Sequence, residues 1–92
     1  MAAPCVVVYC RKNGRTENRL GITVSTKVGG AVVRNRVRRR LKEIYRLDED
    51  RVRTGFDIVI VARVKSRHVS YQELRRSVLS LFRKLKVTGD TQ

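Results

Sequence analysis

Apolar and polar positions alternate along the chain in a pattern that changes period several times. Residues 4–10, Pro-Cys-Val-Val-Val-Tyr-Cys, are β-branched and aromatic and predict a strand. Asn13-Gly14 follows in a polar stretch and marks a turn. Leu20-Gly21-Ile22-Thr23-Val24-Ser25 alternates apolar with polar and predicts a second strand, joined antiparallel to the first as a hairpin. Gly29-Gly30 then breaks the chain. From about Ala31, Val33, Val37, Leu41 and Ile44 recur at intervals of four, four and three, which places them on one stripe of a helix. That helix is expected to end near Asp48-Glu49-Asp50.

A second helix and a third strand follow. After the Thr54-Gly55 turn, Phe56 to Val64 contains Ile58-Val59-Ile60-Val61-Ala62, an unbroken apolar run that predicts a strand buried on both faces. Ser70-x-x-Glu73 has the spacing of a capping box, in which each side chain satisfies a free backbone N–H at a helix start. Leu74, Val78, Leu81, Phe82 and Leu85 supply that helix's core stripe, and Thr88-Gly89-Asp90 reads as a frayed tail. The order is β-β-α-β-α with no repeat, low-complexity segment or linker. This is an α+β fold, two helices on a small mixed sheet, in a single domain over residues 1–92.

Charge changes the picture from fold to partner. Lys and Arg total 22 against 8 Asp and Glu, a net +14 with a pI near 11.3. A surface that positive repels itself, which a protein tolerates when a polyanion is its working partner. Apolar residues are 41% of the chain, enough for a core and unlike a charged tail. No apolar run approaches the ~20 residues of a membrane span, and Met1-Ala2-Ala3-Pro4 lacks the basic-then-apolar form of a secretory signal. Cys5 and Cys10 would lie about 16 Å apart along a strand, beyond the ~7 Å limit for a disulfide, so both are expected reduced in a cytoplasmic protein. His68 is the only histidine and there is no C-x-x-C, too few ligands for zinc.

The charge concentrates in one segment. Seven of the nine residues from Arg34 to Lys42 are basic or amide, and Glu43 is the only acid between residues 27 and 47. A solvated helix face normally mixes signs, whereas a helix bearing several forked guanidinium groups can contact several RNA phosphates at once. Arginine also stacks on unpaired bases, and Asn35 can pair with a base edge or hold a neighbouring arginine. Arg34, Asn35, Arg38, Arg39, Lys42 and Arg46 lie around the wheel from the apolar stripe. Arg40 projects close to that stripe, its guanidinium expected to pass the core edge.

Arg34-Asn35-Arg36 with Val37-Arg38-Arg39 resembles the signature of the bacterial ribonuclease P protein. The resemblance runs upstream through Leu20–Ser25 and Lys27-Val28-Gly29, similar to that family's second strand and lysine-bearing loop. Downstream it takes in Asp57–Arg63, Tyr71-x-Glu73-Leu74 and Leu81–Lys84. The resemblance implies a holoenzyme that cuts precursor tRNA to make the mature 5′ end, with metal-dependent hydrolysis performed by its RNA subunit. No cofactor is then expected on the protein, and Mg2+ is expected at the RNA active site. By position, Lys27, Arg34, Asn35, Arg36, Arg38 and Arg39 would contact RNA, and Lys42 occupies a family arginine position. Val7 and Tyr9, two apart and so on one strand face, would meet the precursor's 5′ leader in a cleft on the open sheet face; the other reading of Tyr9 is core packing.

The resemblance also implies a left-handed β-α-β crossover, and a basic amino-terminal helix before the first strand. Here the chain starts almost directly at the strand, so that helix is expected to be absent. Thr26 stands where a second lysine is common, and Arg40 where an apolar residue is usual. The expected partners are ribonuclease P RNA and the precursor leader, without a membrane, for a monomer. A self-contained nuclease would need clustered carboxylates for metal ions or a histidine pair, and the only acidic cluster is Asp48-Glu49-Asp50 beside a helix end. The alternative is a ribosomal or other structural RNA-binding protein, many of which are small and basic.

Overall fold

The apolar run of the third strand takes the middle of the sheet and separates the two strands that precede it. The structure, a computed structural model, describes residues 1–85. Strands β1 (Val6–Lys12), β2 (Arg19–Val24) and β3 (Phe56–Ala62) form a mixed sheet in the order β1-β3-β2. Strand β1 pairs antiparallel with β3, setting Val8 opposite Ile60 and Tyr9 opposite Val59. Strand β2 pairs parallel with β3, setting Gly21 beside Val59 and Thr23 beside Val61. The expected β1–β2 hairpin therefore does not form. Strand β3 offers an apolar partner at every position from Ile58 to Ala62, and both flanking strands pair with it.

The connection that looked like a hairpin turn instead bridges the start of β3. Asn13 donates its backbone N–H to the Gly55 carbonyl at 3.0 Å and its side-chain amide to Glu17 O and Asp57 Oδ1, both at 3.1 Å. Asn18 accepts from the Phe56 N–H at 2.8 Å and donates to Arg53 O at 2.9 Å. Two amide side chains thus fasten the loop across the end of the central strand. At the other edge, Met1–Ala3 runs back along β1, with Val8 N–H donating to Met1 O at 2.9 Å.

Both helices pack on one face of the sheet. Helix α1 (Ala31–Asp48) buries Val37, Leu41, Ile44, Tyr45 and Asp48; helix α2 (Tyr71–Lys84) buries Leu74, Val78, Leu81 and Phe82. They close over Val6, Val8, Ile58, Ile60 and Ala62. Tyr45 and Phe82 meet edge to face, ring centres 6.4 Å apart, where the helices touch. The capping box forms as expected on its serine side, Ser70 Oγ accepting from the Glu73 N–H at 3.1 Å. Before α1, a Cβ at Gly29 would lie 2.9 Å from the Val33 side chain, so only glycine lets the first turn close there. Arg40 passes the core edge and donates to Val69 O at 3.4 Å. Cys5 and Cys10 are free. Thr88-Gly89-Asp90 lies outside the described residues.

Burial of β3 differs from the expectation of a two-sided core strand. Ile58, Ile60 and Ala62 are buried beneath the helices, while Val59 is 37% exposed and Val61 half-buried on the reverse face. Two helices suffice to cover one face of three short strands, and the other remains open.

Candidate nucleic-acid interface

Helix periodicity sorts the basic segment into two sets. Asn35, Arg36, Arg39 and Lys42 are exposed, whereas Arg34 and Arg38 are half-buried towards the packed side of α1. Arg38 donates to Asn35 Oδ1 at 3.3 Å, so the asparagine holds a neighbouring arginine. Arg34 Nε is buried without a hydrogen-bond partner among the described residues, which leaves a donor for a ligand atom to satisfy. The first turn of α1 carries no acid, and Gly30 at its N-cap supplies no side chain, so the positive end of the helix dipole adds to the same cationic surface. Lys27 is exposed on the short 3-10 turn that leads into α1, where Ser25 Oγ accepts its backbone N–H at 3.3 Å. Arg67, which the sequence pattern did not single out, joins this turn from the segment after β3 by donating to Val28 O at 3.2 Å.

The open face of the sheet carries the second set. Val7 and Tyr9 alternate with the fully buried Val6 and Val8, so their side chains point away from the helices. Tyr9 is 58% exposed, which removes the core-packing reading. One cross-strand row runs Tyr9, Val59, Gly21; the next runs Val7, Val61, Thr23. Tyr9, Arg11, Asp57 and Val59 line a groove on this face.

A charged row borders the groove. Arg19 donates from Nε to Asp57 Oδ1 at 3.0 Å and from Nη2 to Oδ2 at 3.1 Å, a forked pair that fixes the plane of the guanidinium. Arg11 approaches the same carboxylate at 3.7 Å. Hydrogen bonds from Arg19 and then from Asn13 hold the Asp57 carboxyl well below the usual carboxylate range, and the same pairing raises Arg19. Asp57 therefore stays ionised and keeps two arginines beside an exposed aromatic ring. Sequence reading missed this triad because its members lie on three strands whose order only the fold reveals. A further groove at the end of the sheet is lined by Lys12, Arg15, Arg53 and Phe56, with no acid in its walls.

The acidic cluster does not converge on a shared site. Asp48, from the only acidic cluster, is buried and paired with Arg75 on α2. No group of three or more His, Cys, Asp or Glu among the described residues is placed to hold a metal ion. No helix among them is long and apolar enough to cross a membrane.

Comparison with known proteins agrees with this geometry. The family model described as Ribonuclease P matches residues 1–86. The ribonuclease P protein component of Alkaliphilus metalliredigens is 44% identical over 87 residues, covering 95% of this chain and 78% of that protein. That of Clostridioides difficile is 40% identical over 84 residues, covering 90% and 74%. Among solved structures, the RNase P protein of Staphylococcus aureus superposes with a TM-score of 0.88 at 29% identity, covering 97% of this chain and 82% of that one. The RNase P protein of Thermotoga maritima superposes with a TM-score of 0.84 at 35% identity, covering 91% and 80%. With a family model that matches residues 1–86, a relative 44% identical over 95% of the chain and a solved relative that superposes on 97% of it, the chain belongs to the ribonuclease P protein family, the protein component of an RNA-based endonuclease.

Proposed function

We propose that the chain binds the ribonuclease P RNA along the amino-terminal half of α1 and the 5′ leader of precursor tRNA across the open sheet face, assisting endonucleolytic maturation of the tRNA 5′ end. Lys27 on the turn before α1, and Arg34, Asn35, Arg36, Arg38, Arg39 and Lys42 on α1, meet RNA phosphates and base edges, neutralising charge and releasing condensed counterions. On the sheet, Tyr9 stacks on an unpaired leader base, and Val7 packs beside it. The chemistry belongs to the RNA subunit, with Mg2+ at its active site; the protein supplies affinity and position. It works as a monomer in the cytoplasm.

The observation that carries this reading is the sheet face left uncovered by both helices, with Tyr9 58% exposed in a groove it shares with Arg11. A face like that suits single-stranded nucleic acid, whose splayed bases offer a flat surface to the ring and whose phosphates reach the rim. Reconstitution with a bacterial ribonuclease P RNA, assayed on precursor tRNA, tests it. The protein alone should be inactive, and the complex should cleave at the 5′ end at magnesium levels too low for the RNA by itself. Cleavage by RNA-free protein that survives repurification would overturn the assignment of chemistry to the RNA. Copurification with ribosomal RNA in place of ribonuclease P RNA would favour a structural RNA-binding role.

A further inference from the structure

Gly21 occupies a position where the fold does not ask for glycine. Its φ is not in the left-handed region, since the described glycines with positive φ are Gly14, Gly29 and Gly55. A Cβ built on Gly21 would meet only Val59 Cγ2, at 3.8 Å, an ordinary van der Waals contact. A strand interior is nonetheless a poor place for glycine, which gives up more backbone freedom on folding than any other residue and packs nothing. Neither a turn, a bulge nor a close internal neighbour explains it. Close approach by something outside the chain remains the physical reason for a bare backbone there.

The surroundings say what approaches. Gly21 ends the row Tyr9, Val59, Gly21, about 10 Å from the ring of Tyr9 across two strand spacings. Leu20 and Ile22 turn towards the helices, so the missing side chain leaves its gap on the open face. Two residues before it, and so on the same strand face, Arg19 spends two of its N–H donors on Asp57 and keeps the remainder of its fork for another acceptor. A ring, then a gap, then an oriented guanidinium match base, sugar and phosphate in order.

We infer that Gly21 is a positioning residue: its bare backbone lets the sugar–phosphate backbone of the single-stranded leader cross the edge of the sheet, with a base on Tyr9 and a phosphate at Arg19. This rests on the leader-binding reading above and gives it a path. A side chain at residue 21 would lift the RNA off the sheet while suiting the strand better than glycine does, so binding and stability should move in opposite directions.

The test uses Gly21→Ala and Gly21→Val in the complex reconstituted with ribonuclease P RNA. Affinities for leader-bearing precursor and for mature tRNA are measured beside thermal melts of the free protein. Gly21→Val should weaken precursor binding about fivefold or more, equivalent to about 1 kcal/mol, with mature tRNA unaffected and a melting temperature unchanged or raised. Gly21→Ala should fall between it and the wild type. Undiminished precursor affinity in Gly21→Val, while the wild-type complex still prefers precursor over mature tRNA, overturns this inference alone. A wild-type complex with no such preference overturns the leader-binding reading beneath it. A lowered melting temperature in both variants would show that the fold requires the glycine, which also overturns the inference.

Discussion

Arg75 on α2 donates from Nε and Nη2 to the two carboxylate oxygens of Asp48 at the end of α1, at 3.3 and 3.2 Å. Asp48 is 4% exposed, so this pair joins the helices through a carboxylate that has left water. Removing the arginine strands that charge. Arg75→Ala should lower stability, by less than the loss of a partner from a fully buried pair because the Arg75 side chain is itself 40% exposed. A urea midpoint shifted at constant slope is the check. The exposed Arg76, on the same helix, serves as the control for RNA binding.

Binding to ribonuclease P RNA should weaken steeply with salt, since each phosphate contact releases condensed counterions. Arg36→Ala and Arg39→Ala, at exposed positions of α1, should each cost on the order of 1–3 kcal/mol and lower the slope of log affinity against log salt by about one. Arg76→Ala should change both less. Equal losses at all three sites would mean diffuse attraction to a positive protein, with no dedicated α1 surface.

The Arg19–Asp57 pair predicts an acid-sensitive component of stability. Asp57 has a folded-state pKa below its unfolded value, so the unfolded chain takes up the proton first as pH falls. Its stabilisation is complete above the unfolded carboxylate pKa of about 4 and is lost progressively as pH drops through the folded value. Asp57→Asn should therefore melt below the wild type at pH 7, and the gap should narrow steadily below about pH 4. Parallel melting curves across that range would show that the pair contributes nothing to folding.

How far these features could be read from sequence depends on whether they are local. The stripe Val37, Leu41, Ile44 and the Ser70–Glu73 cap are set within one helix, and the structure reproduces both. The basic face of α1 was legible for the same reason, since residues a few positions apart share a side. Strand order was not. Asn13-Gly14 between two β-prone segments is a hairpin signal, and only the long apolar run of β3 hinted at a strand that would claim the centre. That run also concealed its two faces: Ile58 and Ile60 pack under helices while Val59 looks outward, and a continuous apolar stretch does not distinguish them. Asp48 and Arg75, 27 residues apart, and the Arg11–Asp57–Arg19 row are tertiary meetings that no spacing along the chain encodes.

The division of labour between α1 and the sheet is tested most directly at Tyr9. The measurement is the ratio of affinities for leader-bearing precursor and mature tRNA, taken for the reconstituted complex with wild-type protein and with Tyr9→Ala, beside thermal melts of the free proteins. A ring that is 58% exposed contributes little to folding, and stacking on one unpaired base is worth roughly 1–3 kcal/mol. The expected result is a Tyr9→Ala complex that loses most of its preference for precursor, keeps its affinity for mature tRNA and melts with the wild type. An unchanged ratio would contradict the placement of the leader on the open sheet.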